Sequence, residues 1–228
     1  MLKIILNRLK PQAEKISAKE LAGFTGGRST TEQILNLRIL CEKYLQRQQD
    51  LYHVFIDFKK AFDGVLHAAP WATMKKYNIS TNLIRVIKTF YGKATSAVLF
   101  NSSTGDWFRT TVGVRQRSLL SPTLFNLSLE KIVTDALQDH EDTVSIGDRT
   151  ITNLRFADDI DDLAGEAEEL AKVVERLDKA SSAYGIEISA KKTNLITNNT
   201  SGINTEIKVN GQKLETVTSF HIPGLSFK

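Results

Sequence analysis

Apolar residues recur along the chain at two spacings, and the switches between them predict the order of its elements. Residues 2–9 carry Leu2, Ile4, Ile5, Leu6 and Leu9, a short helix expected to end near Pro11, where a missing N–H and a clash with the preceding turn interrupt the ladder. Ser29-Thr30-Thr31-Glu32 is a capping-box pattern, and Ile34, Leu35, Leu37, Leu40, Tyr44 and Leu45 behind it predict a second helix with its apolar face on a sheet. Residues 52–57 are a short apolar run rich in β-formers and predict a buried strand. Helices are expected over 67–77 and 81–91, followed by a hairpin of 95–101 with 107–112 across 102–106, Gly105 supplying the turn.

In the second half, Pro122 opens a helix expected to run to about Gln138, with Leu124, Leu127, Ile132, Val133 and Leu137 apolar. A hairpin of 143–146 with 150–156 turns at Gly147-Asp148, a strand returns over 160–163, and 166–184 is a long amphipathic helix whose early acids suit the positive end of its dipole. Strands are expected at 193–197, 206–209 and 213–218, the last two joined by Asn210-Gly211, a strong type I′ turn signal. Hairpins alternating with helices predict an α+β fold, an antiparallel sheet covered mainly on one face.

Composition narrows the function classes. A chain of 228 residues, 41% hydrophobic and 25% charged, can bury a sizeable core. Cys41 is the only cysteine, which excludes an intrachain disulfide and Cys-rich zinc sites, and the four histidines show no ligand spacing. The apolar stretch at the N-terminus is too short for a signal peptide, and no run approaches the roughly 20 residues that span a bilayer. The expectation is a soluble intracellular protein with no membrane partner; without a Lys/Arg-rich cluster, nucleus and cytoplasm stay equally open. A net charge of +4 permits a nucleic-acid partner. Its distribution says more: residues 1–60 carry eleven Lys or Arg against six acids, whereas 158–169 holds seven acids and no base. A basic flank beside an acidic centre suits a polymer of phosphates approaching a metal site, and solvated helix faces give the same count.

The chemistry lies in two carboxylate clusters, Asp57 in Phe55-Ile56-Asp57-Phe58-Lys59-Lys60-Ala61-Phe62-Asp63 and the pair in Phe156-Ala157-Asp158-Asp159. Each follows an apolar run that reads as a buried strand, so the fold must hold charge at strand ends beside its core, where unpaired carboxylates are costly. Two divalent cations about 4 Å apart would neutralise them and are a common device for displacement at phosphorus. Alone, Asp158-Asp159 reads sooner as a β-turn, since Asp favours turns through local hydrogen bonds.

With Gly113-Val114-Arg115-Gln116 between the clusters and Lys192 after them, the chain resembles the reverse transcriptase domain of non-LTR, LINE-type retrotransposons. Phe24-Thr25-Gly26-Gly27-Arg28-Ser29-Thr30 is similar to that family's finger-side segment, Phe55 to Asp63 to its first catalytic motif, residues 113–126 to its template-and-substrate motif, and Phe156 to Asp159 to its metal-binding turn. The resemblance implies a right-hand polymerase palm with partial fingers and no thumb: fingers in 1–50, palm in 51–228 with the start of a primer-grip hairpin. It implies an RNA-directed DNA polymerase acting on an RNA template, a DNA primer and deoxynucleoside triphosphates. Asp57 and Asp158 would ligate two Mg²⁺ or Mn²⁺ ions, with Asp159 in or beside the second position. Phe62 would be the bulky gate that excludes a 2′-hydroxyl, Gln116 would touch nucleotide or template, Lys192 would sit near the leaving phosphates, and Arg28 would bind substrate.

The chain departs from the family pattern at several places. Arg117-Ser118 stands where Gly-Cys is usual, and Phe220-His221-Ile222-Pro223-Gly224 where Phe-Lys-Tyr-Leu-Gly is usual. Thr25 replaces a basic residue, and Gly64 and Leu66 replace basic and aromatic ones. Glycine at 117 would allow close backbone approach to a ligand; Arg117 would instead put a cation beside the nucleotide, or pair with Asp57 or Asp158 in the absence of metal. The expectation is a shortened copy with its carboxylates intact and its turnover in question, the alternative function being a non-catalytic nucleic-acid-binding remnant.

Overall fold

The computed structural model describes residues 1–115, 117–138, 140, 144–198 and 206–217, together with the backbone of 221–222 and 225–226. Among the described residues, helices α1 (Leu2–Ile16), α2 (Thr30–Gln46), α3 (Ala61–Gly64), α4 (Ala68–Lys76), α5 (Thr81–Gly92), α6 (Ser121–Ala136) and α7 (Ala167–Ala183) accompany one five-stranded sheet. Its strands are β1 (Tyr52–Ile56), β2 (Asn153–Phe156), β3 (Asp159–Ala164), β4 (Asn194–Thr197) and β5 (Glu215–Thr216), in the order β5-β4-β1-β3-β2. The pairings are antiparallel as expected, except that β5 joins β4 in parallel. No helix among the described residues is long and apolar enough to cross a membrane.

The two-residue period of the strands sorts the core into two layers. Tyr52, Val54 and Ile56 point to one face with Ile160, Ala164 and Leu195, where α1, α4, α6 and α7 bring Leu9, Met74, Phe125, Leu129, Leu170 and Val174 into the main core. On the other face α2 lays Leu37, Leu40 and Tyr44 over Leu51, Leu154 and Leu163. Ser29 caps α2 as expected, its side chain accepting from the N–H of Glu32, while Leu35 and Leu45 turn out to solvent. This second layer covers only part of the sheet, leaving a cleft of about 510 Å³ between α2 and the ends of β1 and β3.

Local expectations needed three corrections. α1 runs through Pro11 to Ile16 instead of stopping, because Ile5, Leu9 and Ala13 are buried at one-turn spacing and their packing outweighs the roughly 3 kcal/mol cost of an internal proline. The turn of the first hairpin is Asn101-Ser102, both at positive φ (46° and 62°), a primed two-residue turn, and not the 102–106 loop. The expected strand 150–156 is two pieces: Arg149–Thr150 pairs with Ser145–Ile146, and β2 then joins the main sheet. The Asn210-Gly211 turn forms as expected, with φ of 50° and 74°. Gln116, Thr143, Thr218, Pro223 and Gly224, on which other expectations rest, lie outside the described residues.

β3 reads Asp159-Ile160-Asp161-Asp162-Leu163-Ala164, so the sheet buries two consecutive acids on opposite faces. Asp161 Oδ1 lies 3.3 Å from His53 Nδ1 on the α2 side. Asp162 faces the main core beside Arg155, whose Nη1 is 3.4 Å from Glu130 Oε2, and Asp162 Oδ2 makes no hydrogen bond among the described residues. Burial pushes the Asp162 carboxyl up to about 8, reinforced by Asp161 and opposed by Arg155.

A segment remote in sequence braces the β2–β3 turn. Leu21 forms a parallel bridge to Arg155, with Arg155 N donating to Glu20 O at 3.0 Å and Ala22 N to Arg155 O at 2.9 Å. Asn126 Nδ2 holds Gly23 O at 2.8 Å. A Cβ on Gly23 would lie 2.1 Å from the backbone nitrogen of Ala157, itself at φ 57° as the first residue of the turn. Only glycine fits that approach.

Gly23→Ala should therefore lower stability by about 1–3 kcal/mol in urea unfolding, the usual cost of overpacking, while Gly92→Ala, with open space around it, should not destabilise; equal effects would remove the steric argument. The second expectation concerns pH. Asp162 holds its proton to about pH 8 in the fold and releases it near 3.8 when unfolded, so its contribution is favourable below that lower value and is lost as pH rises through the window. Asp162→Asn should match the parent near pH 4 and exceed it at pH 8 by on the order of 1–4 kcal/mol; parallel stability curves would show that Asp162 does not titrate there.

Candidate active site

Strand register sets the geometry of the carboxylates. Ile56 pairs with Ile160, and the same register carried one residue on brings Asp57, just past β1, level with Asp159, the first residue of β3. Asp57 is fixed by its main chain: its N–H donates to Thr193 Oγ1 at 3.2 Å and its carbonyl accepts from Ser189 N at 2.8 Å. Asp158 is the second residue of the tight β2–β3 turn, half-buried beside Asp159. Asp57 and Asp159 line the mouth of the 510 Å³ cleft with Lys192, while Phe55, Leu154, Ile34 and Leu37 form its apolar interior.

The three carboxylates repel one another. Loss of solvent raises the Asp159 carboxyl above its ordinary range, and the charges of Asp158 and then Asp57 raise it further. The cation at hand is Lys192, its Nζ 3.5 Å from Asp57 Oδ2, an atom with no hydrogen bond among the described residues. Lys192 thus occupies the place foreseen for Arg117, which makes no ion pair among the described residues. Hard oxygen donors with residual negative charge and an orphaned oxygen suit a divalent cation. Among the described residues, however, no three His, Cys, Asp or Glu side chains converge closely enough to hold one ion.

The other foreseen residues divide. Phe62 stacks on Phe125, ring centroids 4.4 Å apart, and meets Phe24 edge-on at 6.3 Å. With Phe24, Arg117, Ser118, Ser121 and Pro122 it lines a second cavity of about 370 Å³. Arg117 is exposed and sits at φ 62°, a left-handed conformation that costs a side chain roughly 1–2 kcal/mol and suits glycine. Arg28 does not reach the carboxylates: its Nη1 donates to the carbonyls of Ala18 and Leu21, the latter at 2.6 Å, pinning the segment that braces the turn. Gln116 lies outside the described residues.

Sequence reasoning missed Gly23, Asn126 and the buried Glu130–Arg155 pair, which hold the turn from behind, Arg155 alone of them also lining the cleft. A lone Gly before Phe24 and an Asn inside an apolar helix carry no local signal; both acquire meaning only from contacts more than 100 residues away.

Comparison with known proteins identifies the family of the chain. The family model described as "Reverse transcriptase (RNA-dependent DNA polymerase)" matches residues 1–227. Among curated relatives, the Pol polyprotein of a type-1 R2 retrotransposable element from Nasonia vitripennis is 29% identical over 77% of this chain and 17% of its own length. Its counterpart from Popillia japonica is 31% identical over 54% of this chain and 21% of its own length. The chain thus spans about a fifth of the curated relatives it matches. Of solved structures, telomerase from Candida tropicalis in complex with a fragment of telomeric RNA superposes with a TM-score of 0.69 at 18% identity, covering 94% of this chain and 36% of that one. The apo enzyme truncated of its C-terminal domain gives 0.65 at 16% identity, covering 94% and 44%. On the whole-length family match and these relatives, the chain belongs to the reverse transcriptase (RNA-dependent DNA polymerase) family, as a domain of the non-LTR retrotransposon kind.

Proposed function

We propose that this domain extends a DNA primer on an RNA template by two-metal nucleotidyl transfer at Asp57, Asp158 and Asp159. The observation that carries the reading is the cluster itself: Asp57 and Asp159 level with one another at the mouth of a cleft with Asp158 next in the turn, an Asp159 carboxyl raised by loss of solvent and then by the charges of Asp158 and Asp57, and Lys192 as neighbouring cation. In this reading residues 1–50 form the finger-side segment and 51–228 the palm.

Asp57 and Asp158 would hold the ions, with Asp159 in or beside the second position. When bound, such ions lower the pKa of a hydroxyl nucleophile and stabilise the charge on transferring and leaving phosphates. The chain's own contribution is positioning. The Gly23–Ala157 contact and the Thr193 and Ser189 hydrogen bonds fix the carboxylates before substrate arrives, so little reorganisation is needed. Lys192, released from Asp57, would neutralise the leaving phosphates. Phe62, held between Phe125 and Phe24, presents a rigid ring to the 370 Å³ cavity, which would receive the sugar and reject one carrying a 2′-hydroxyl. Gln116 would contact nucleotide or template, and Arg28 acts as a positioning residue through the loop it pins.

Arg117 at the cavity rim favours a second reading, nucleic-acid binding without turnover. Template-primer extension by the purified chain, with Mg²⁺ and with Mn²⁺, separates the two. Polymerisation predicts product that falls at least a hundredfold in Asp158→Asn, the order of loss seen when a key charge-stabilising group is removed; a folded chain that binds template-primer and gives no product with either metal would leave the binding reading. Arg117→Gly should raise extension severalfold and leave stability equal or higher, because it clears the cavity and relieves the left-handed backbone. Unchanged nucleotide affinity and extension would clear Arg117 of any part in substrate binding.

A further inference from the structure

Residues 75–117 hold eight Lys or Arg and a single acid, Asp106, a net +7 in a chain whose total is +4. All eight cations are exposed, and none makes an ion pair among the described residues. Lys75, Arg85 and Lys88 line a depression of about 350 Å³ between the end of α4 and α5. From Gly92, α5 passes through Lys93 and Ala94 straight into the hairpin. There Thr95–Ser96 pairs with Phe108–Arg109, and Leu99–Phe100 with Ser103–Thr104. Two residues on one arm, 97–98, face three on the other, 105–107, a bulge that re-aims the tip. The tip is apolar and open, with Phe100 73% and Trp107 69% exposed alongside Leu99 and Phe108.

A free apolar hairpin is an association hazard that natural sheets usually blunt. Here the surrounding charge selects the partner. Two copies meeting through this lobe would each bring +7, and repulsion opposes that pairing. A polyanion with flat apolar faces satisfies both halves of the surface: phosphates meet the cations, and unpaired bases stack on the rings. Duplex hides those base faces, so the requirement is for a single strand.

We infer that this lobe is a second nucleic-acid surface, sharing no residue with the carboxylate cleft, that takes single-stranded RNA or DNA with Lys75, Arg85 and Lys88 along the phosphates and Phe100 and Trp107 stacked on bases. The inference goes beyond primer extension and stands without it, since it uses none of Asp57, Asp158 and Asp159.

The two tryptophans make the test direct: Trp71 is buried at 8% exposure, so the solvent-accessible indole is Trp107. Titrating the chain with oligo(U) and with oligo(dT) of about 15 nucleotides should quench tryptophan emission saturably, with an apparent affinity that falls steeply with salt. Labelled-oligonucleotide anisotropy should show Phe100→Ala/Trp107→Ala weakening binding at least fivefold and Arg85→Glu/Lys88→Glu more, while Lys172→Glu/Lys179→Glu on α7, with the same net charge, stays within twofold. Tighter binding of oligo(U) would name RNA as the ligand and equal binding would name either strand; both support the inference. Binding without quenching, or equal loss in the α7 variant, overturns it. A concentration-dependent dimer that Phe100→Ala/Trp107→Ala dissolves would give the hairpin to a second copy instead.

Discussion

Placing five carboxylates on one pair of central strands, Asp57 just past β1 and Asp158, Asp159, Asp161 and Asp162 on the hairpin that feeds β3, obliges the fold to treat the two ends of that pair differently. Like charges about 4 Å apart near a protein surface repel by about 4 kcal/mol, a large fraction of the stability of a typical domain. Toward the middle of the sheet the charge is removed: Asp161 faces His53, and Asp162 is held neutral by burial beside the Glu130–Arg155 pair. At the mouth of the cleft it is kept, with Lys192 as neighbour and Asp159 raised by loss of solvent and then by its companions. An interior that suppresses charge and a rim that concentrates it together leave the negative charge gathered at one end of the sheet.

Concentrated repulsion would spread a flexible loop, so the carboxylates also need a stiff support. The turn that carries Asp158 is only two residues long, and its first, Ala157, is held at φ 57° without being glycine. That strain is maintained by the segment 18–24, which is hydrogen-bonded to Arg155 on one side and to Asn126 on the other, with Arg28 closing the loop from behind. The glycine this arrangement requires is at 23, in the braced segment, where backbone must touch backbone. Pre-organisation here is thus bought by residues from the N-terminal quarter and from α6, neither of which enters the cleft.

Much of this was legible from the sequence because it rests on short-range physics. The Ser29 cap, the Asn210-Gly211 turn, the amphipathic α7 and the apolar runs before the acids each follow from a few neighbouring residues. What escaped depends on tertiary contact. Pro11 is tolerated because Ile5, Leu9 and Ala13 are buried, which the helix's own sequence does not reveal. That the acids at 161 and 162 are buried follows only once β3 is known to be the strand between β1 and β2. Arg28, which the family resemblance assigns to substrate, donates to two backbone carbonyls, contacts that depend on the fold of segment 18–28. The basic stretch 75–117 carries no local signal because its cations are scattered along helix and hairpin, and Lys75, Arg85 and Lys88 come to one depression only in the fold.

Position 117 shows how the fold accommodates a side chain at a place suited to glycine. The backbone there keeps the left-handed conformation that glycine favours, although an arginine occupies it. The flanking contacts hold it: Ser121 Oγ donates to the carbonyl of Arg115 at 2.5 Å, and Ser118 N donates to the same carbonyl at 3.1 Å. A strain of roughly 1–2 kcal/mol is small against the burial of α6 behind it, where Leu124, Phe125, Leu127 and Leu129 are almost wholly enclosed. The side chain itself falls outside that enclosure, at the rim of the cavity beside Phe62. The main chain of residue 117 and its guanidinium are therefore subject to different constraints, the first fixed by its hydrogen-bonded flank and the second free at the cavity, so a change confined to the side chain need scarcely register in the fold.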